Sequence, residues 1–292
     1  MSVYSIADLE KLSGVKAHTI RIWEKRYNIV EPNRTDSNIR FYDDFQLKRI
    51  LNISFLIRQG LKISKIAKLN NEDIESKVRE KSAVSSDSEL FINDIIVSTL
   101  TFDKELFEST FAKSLKVFGF ENFYEKVIIP SLNKIGFLWS SGELFPAQEH
   151  FLSNLLKQKL YAMLDSTSPQ IKSDKTVLLF LPPWENHDFA LIFSDIVLQS
   201  LGFNVINIGK SISTESIYEC IKKIQPDFLF TTVIVGHKIN EIQSFCDGIT
   251  NHNHNGMFTI AGNVDLLKLV RVKGKVFSGC TEFKNYYKNL IG

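Results

Sequence analysis

Apolar residues recur at helical spacing in the first quarter of the chain, most clearly in IADLEKLSGV, HTIRIWEKRY and FQLKRILNISFLIRQG. The spacing predicts short helices over residues 1–70, interrupted by a turn-rich insert. That insert, IVEPNRTDSNIRFY, is polar and carries Pro32, so it cannot be helical. Ser5 followed by Asp8 has the form of a capping box, with Tyr4 and Leu9 as its flanking apolar pair, and places the first helix start at about Ile6. Residues 71–87, NEDIESKVREKSAVSSD, are charged and then small and polar. They mark a linker or a weakly packed helix, and the first domain boundary.

From residue 88 to 166 the pattern changes to long amphipathic stretches: LFINDIIVSTL, KELFESTFAKSLKVFG, FYEKVIIPSLNKIGFLW and QEHFLSNLLKQKLYAML. No alternating runs interrupt them, which predicts a bundle of four or five helices. After SPQIKSD the period changes again. TVLLFLPP, FNVINIG, DFLFTTVIVG, MFTIAG and KVFSG are short apolar runs separated by helical segments such as FALIFSDIVLQSLG and ESIYECIKKIQP. Such alternation implies right-handed crossovers and a doubly wound parallel sheet. The expected chain is multidomain: a helical head over 1–72, a helical bundle over 86–167 and an α/β domain over 174–292.

Charge sharpens this division. Residues 1–70 hold 13 Lys and Arg against 7 Asp and Glu, a net +6 within a chain whose total is +2. The head is therefore suited to a polyanion and the rest is not. Cys220, Cys246 and Cys280 are odd in number and widely spaced, which indicates buried thiols and no disulfide framework or zinc site. No apolar run reaches the roughly 18 residues of a membrane span, and the N-terminus is charged where a signal peptide is apolar, so a cytoplasmic location is expected. Neither a nucleophile–base pair nor a phosphate-cradling loop is present; Gly14, Gly60 and Gly136 stand alone, and no catalysis is expected.

Residues 3–69 resemble the MerR family of bacterial transcription regulators. The resemblance rests on Gly14, Thr19-Ile20-Arg21, Trp23-Glu24, Pro32-x-Arg34-Thr35, Arg40-Phe41-Tyr42 and Asp44. It implies an α winged helix-turn-helix bound to double-stranded promoter DNA. A second helix starting between Lys16 and Thr19 sets Lys16, His18, Thr19 and Arg21 at its N-terminal turn, within reach of base edges and phosphates. Arg26, Arg34 and Arg40 fall at its far end and on the wing, where they would neutralise flanking phosphates, while Ile20 and Trp23 face the core.

Two further stretches resemble cobalamin-linked members of that family. In PPWENHDFALI, Glu185-x-His187-x-x-Ala190 follows the first predicted strand of the sheet and is similar to the acidic-x-His-x-x-Gly signature of Rossmann-like cobalamin-binding domains. The resemblance implies that His187 is the lower axial ligand of cobalt and that Glu185 orients its other ring nitrogen. In WSSGELFPAQEHF, Trp139 and Glu149-His150 are similar to the helical cap over the upper face of the cofactor, supported by Ile129-Pro130-Ser131-Leu132 and Gly136. A corrinoid, adenosylcobalamin in particular, and a homo-oligomer (dimer or tetramer) follow as expectations. The chain departs from the pattern at Ala190, at Thr232-Val233-Ile234 (or from Thr231) and at Ala261-Gly262, where the family has Gly, a serine motif and Gly-Gly. Each added methyl crowds the nucleotide tail at about 1–3 kcal/mol if the backbone cannot yield. Ser140 stands where light-sensing members carry a histidine, so the same photoproduct is not expected.

Three functional readings remain at this stage. One is a regulator that senses a corrinoid, and a second is the same architecture without cofactor, used as an oligomerisation or partner-binding scaffold. The third, a corrinoid methyl-transfer protein, is disfavoured by the basic head. His187 has an alternative role as a loop histidine capping a helix that starts near Asp188. His252-Asn253-His254 is expected to be an exposed loop, not a metal site.

Overall fold

The computed structural model describes residues 4–34, 40–84, 88–140, 144–168, 173–252 and 256–291. The chain divides into two compact units, residues 1–153 and 154–292. The first unit therefore holds both the basic head and most of the helical bundle.

Helix α1 (Ile6–Ser13) starts as its sequence dictates: the Ser5 hydroxyl accepts the Asp8 N–H at 3.2 Å, and the Asp8 carboxylate accepts the Ser5 N–H at 2.6 Å. It ends at Gly14, whose φ of +70° is the left-handed conformation that lets the chain turn into α2 (Ala17–Tyr27). The polar insert forms a wing in which β1 (Asn33–Arg34) pairs antiparallel with β2 (Arg40–Phe41). A second capping box, Asp43 with Gln46, opens α3 (Asp44–Arg58), and the short α4 (Ile63–Ile66) follows. Leu9, Leu12, Ile20, Trp23, Leu47 and Ile50 close the core of the head.

Residues 71–84 form a packed helix, α5 (Asn71–Val84). Ile74 and Val78, one turn apart, are buried and set it against α3. The bundle then comprises α6 (Ser88–Thr101), α7 (Lys104–Phe118), α8 (Phe120–Phe123), α9 (Ile129–Ser140) and α10 (Pro146–Asp165). A π-helical turn, Tyr124–Ile128, precedes α9. It sits directly before Pro130, which has no N–H to continue the i→i−4 register. Helix α6 is buried almost all round, from Leu90 to Leu100, and is the bundle's central element.

Asp94 on α6 carries a carboxyl pushed up to about 6 by burial and by Glu75, and only partly offset by Lys48 and Lys113. These neighbours sit on α5, α3 and α7, so Asp94 lies where the head meets the bundle.

The second unit is a five-stranded parallel sheet in the order β4-β3-β5-β6-β7. In chain order it runs β3 (Thr176–Phe180), α11 (Phe189–Leu201), β4 (Asn204–Gly209), α12 (Thr214–Ile224), β5 (Phe228–Val233), α13 (Ile239–His252), β6 (Met257–Gly262), α14 (Val264–Leu267), β7 (Lys275–Phe277) and α15 (Cys280–Lys288). Each predicted apolar run is a strand, because a parallel strand is covered on both faces and needs apolar residues at successive positions. Leu178, Phe180, Leu229, Val233, Ile217, Ile242 and Phe245 form the core on the α12 and α13 side. Phe230, Phe277, Phe283 and Tyr287 pack edge to face and tilted on the other side. Strand order reverses between β3 and β5, and in such sheets ligands bind beyond the carboxyl ends of the strands at that reversal.

One expectation is corrected. His252 is not in a loop: it is the last residue of α13, its ring stacks on Tyr218 at 3.7 Å, and its Nδ1 lies 2.8 Å from the Gly248 carbonyl. The helix reaches His252, where this stack covers the imidazole. Asn253 and His254 fall outside the described residues.

Gly262 has φ +137°, and a Cβ there would lie 2.0 Å from the Val233 carbonyl oxygen of the neighbouring strand. Gly262→Ala is expected to cost about 2–4 kcal/mol in urea unfolding, through strain and overlap with backbone. Asp94→Asn is expected to act in the opposite direction. A buried acid whose pKa is raised penalises the fold once ionised, so the variant should gain about 1–3 kcal/mol at pH 7. The gain should shrink as pH falls through 6 and vanish near 4, where Asp94 is protonated in both states; paired unfolding curves at the two pH values check this.

Candidate functional site

In the head, α2 presents two unlike faces. Ile20 and Trp23 are buried, whereas His18, Arg21, Ile22, Lys25 and Arg26 are exposed and Thr19 is half-buried. Lys16, the N-cap, pairs with Glu10 at 3.0 Å, and the same carboxylate accepts the Ala17 N–H at 2.9 Å. Glu10 thereby fixes the α1–α2 turn. Glu24 accepts a hydrogen bond from the Tyr42 hydroxyl and lies 3.7 Å from Arg40 Nε, which ties α2 to the wing. Burial and this carboxylate push the Tyr42 phenol well above its ordinary value. Arg34 is exposed on β1, and the Arg26 guanidinium lies 5.4 Å over the Tyr27 ring at the far end of α2. The structure thus gathers the seven sequence-predicted cations and polar residues on α2 and its wing. Ile22 and Lys25 share the exposed face of α2 but were not singled out by the resemblance. Their spacing from His18, at i+4 and i+7, was the available signal.

In the second unit, β3 ends and the chain turns through Pro182 and Pro183. Proline cannot extend the strand ladder, and the Glu185 N–H donates to the Pro182 carbonyl at 2.9 Å to close the turn. This drives the Glu185 side chain inward, where it is 1% exposed. Its Oε1 accepts from the His187 N–H at 2.9 Å and lies 2.7 Å from His187 Nδ1; its Oε2 accepts from the N–H groups of Ile234 at 2.7 Å and Val235 at 3.0 Å. Burial alone would raise this carboxyl, but the four hydrogen bonds outweigh it and hold it down at about 2. Glu185 is therefore an anion joining the loops after β3 and β5, at the point where strand order reverses. Because a carboxylate only accepts, His187 Nδ1 carries the proton in this contact.

Three neighbours complete the loop. The Trp184 indole stacks on His237 at 4.6 Å and 8° and meets the edge of Phe245 at 5.2 Å. Asp188 is the N-cap of α11 but makes no side-chain cap bond. Its carboxylate instead pairs with Lys157 Nζ of α10 at 3.1 Å and Lys210 Nζ at 3.0 Å, and Lys210 also donates to the Asn186 carbonyl at 3.1 Å. These contacts help to hold the loop. Thr231 Oγ1 donates to the Phe180 carbonyl at 2.8 Å, while Thr232 Oγ1 is fully buried with no hydrogen-bond partner. Ala261 and Gly262 are the register partners of Thr232 and Val233.

The remaining predicted residues lie in the first unit. Trp139 stands 56% exposed near the end of α9, and Ser140 Oγ donates to the Phe137 carbonyl at 2.9 Å. Glu149 and His150, in the first turn of α10, pair at 2.7 Å, and the Ser153 hydroxyl donates to Glu149. Among the described residues there is no group of three or more His, Cys, Asp and Glu able to hold a metal ion on protein ligands alone. No described helix is long and apolar enough to cross a membrane.

Comparison with known proteins agrees with this geometry. Residues 4–72 match the MerR HTH family of regulatory proteins, and residues 91–163 match the B12 binding domain. The HTH-type transcriptional repressor CarH of Myxococcus xanthus is 26% identical over 247 residues, covering 82% of both chains. The repressor CarA of the same organism is 24% identical over 242 residues, covering 82% of this chain and 79% of its own. Among solved structures, the Methanosarcina barkeri monomethylamine corrinoid protein superposes with a TM-score of 0.50 over 70% of this chain and 95% of its own; at 13% identity that likeness is one of fold. The chain carries a MerR-type helix-turn-helix head followed by a B12 binding domain and is homologous to the CarH and CarA repressors.

Proposed function

We propose that this protein is a cytoplasmic repressor that holds promoter DNA through α2 and the wing, and that its downstream domains bind adenosylcobalamin or a related corrinoid, which sets its homo-oligomeric state. The observation that carries the corrinoid reading is the Glu185–His187 pair. A buried anion orients the imidazole through Nδ1, which is the role that a carboxylate commonly plays behind a metal-bound histidine.

The fit of the surrounding residues supports the same reading. A fully buried hydroxyl without a partner is costly, and Thr232 Oγ1 would recover a hydrogen bond from a polar group of the corrinoid's nucleotide tail. Trp139, Glu149 and His150 are proposed as further cofactor-binding residues, on the resemblance alone. Bound there, the corrinoid would be held by His187 and would supply a light-sensitive carbon–cobalt bond. The protein's part is to position: Glu185 orients the imidazole, while Lys157 and Lys210 hold Asp188 and with it the loop. Ser140 offers a hydroxyl already bonded to Phe137, so capture of cobalt by a histidine at that position is not a step available to this chain.

Ala190 and Ala261 favour the second reading, in which the same domains act without cofactor as an assembly scaffold, because each adds a methyl beside the proposed tail path. One experiment separates the two. The protein is mixed in the dark with adenosylcobalamin and, separately, hydroxocobalamin, freed of excess by gel filtration, and its visible spectrum recorded. A retained corrin spectrum is expected, shifted or lost in His187→Ala. Glu185→Gln, which keeps the shape but removes the anion, is expected to weaken retention about 10- to 100-fold. A colourless wild-type protein that still binds its promoter would overturn the corrinoid reading and leave the scaffold.

A further inference from the structure

Ile22 is 50% exposed in the middle of α2. A single exposed isoleucine is ordinary on a protein surface, so exposure alone carries nothing. Its surroundings are what matter. His18, Arg21, Ile22 and Lys25 occupy positions i, i+3, i+4 and i+7, one face of the helix, and all four are exposed. Arg26 is exposed beside them, while Ile20 and Trp23 point the other way into the core. An apolar side chain ringed by cations suits neither a lipid interior nor an apolar protein groove. It suits a polyanion that presents an apolar feature between its charges.

Double-stranded DNA has one such feature in the major groove, the C5-methyl of thymine; the other base edges there are hydrogen-bond donors and acceptors. An isoleucine pressed against those edges would strip water from them without replacing the bond, so the same side chain attracts thymine and penalises the alternatives. Ile22 is the sixth of the eleven residues of α2, one turn past His18 on the same face, and so directly follows the N-terminal residues that approach base edges in helix-turn-helix complexes. We propose that Ile22 is a sequence-reading residue, packing on the methyl group of one thymine in each half-site, with Arg21 and Lys25 seated on either side. This inference rests on the DNA-binding function of the head and is independent of whether a corrinoid binds.

The test uses the full-length protein, with and without adenosylcobalamin, to select its preferred site from a pool of random-sequence duplexes. Each thymine of the selected site is then replaced singly by deoxyuridine, which removes the methyl and nothing else. Wild-type binding is expected to fall roughly three- to tenfold at one thymine per half-site. Ile22→Ala should bind the thymine and deoxyuridine duplexes equally at that position, while keeping the wild-type circular dichroism and the wild-type salt dependence on an unselected duplex. Indifference of the wild type to every deoxyuridine substitution, or a variant that still distinguishes the two bases, would overturn the proposal. A pool from which no sequence is enriched would overturn both this inference and promoter recognition by the head, whereas the loss of corrin colour alone would touch neither.

Discussion

The α/β domain depends on one buried carboxylate. Glu185 lies on a loop that would otherwise be free to leave the sheet, and its two oxygens gather four N–H donors from two loops that are nearly fifty residues apart in the chain. An isolated anion at that depth would cost far more than the fold could bear; with these donors it is more stable ionised than in water. The consequence is geometric as well as energetic. The loops after β3 and β5 are tied together at the strand reversal, and the imidazole of His187 is oriented through its Nδ1.

The head is organised by the same kind of element. Glu10 braces the turn between α1 and α2, and Glu24 joins α2 to the wing. In each case a carboxylate on a helix satisfies donors from the next element, and the cations that it does not engage are left on the outer face. Lys16 and Arg40 therefore have two partners in prospect, an internal carboxylate and an external phosphate. The pairs are exposed or partly so and contribute little to stability, which makes exchange between the two partners cheap.

How much of this could be read from the residues follows from the range of the interactions. The capping box at Ser5, the glycine at Gly14 and the five apolar strands are written in windows of a few residues and were legible, whereas the equally local box at Asp43 was not singled out. Helix α5 was harder, because two buried residues, Ile74 and Val78, carry its packing against a background of charge. The Glu185–His187 pair was legible as a motif because its members are two apart. The same loop's other restraints were not: Lys157 and Lys210 reach Asp188 from other elements, and Trp184 finds His237 across the crevice. Tertiary pairs of this kind leave no periodicity in the sequence. Ile22 was hidden for a different reason, since an apolar residue in a helical pattern reads as core until its exposure is known.

Gly262 has a meaning for descent. Its missing side chain is demanded by the backbone of Val233, whatever lies in the crevice above. A lineage that gave up its ligand would go on selecting glycine at 262 for the sake of the sheet, while the residue before it drifted. The second glycine of the pair is thus a poor witness to ligand binding, and the first a better one.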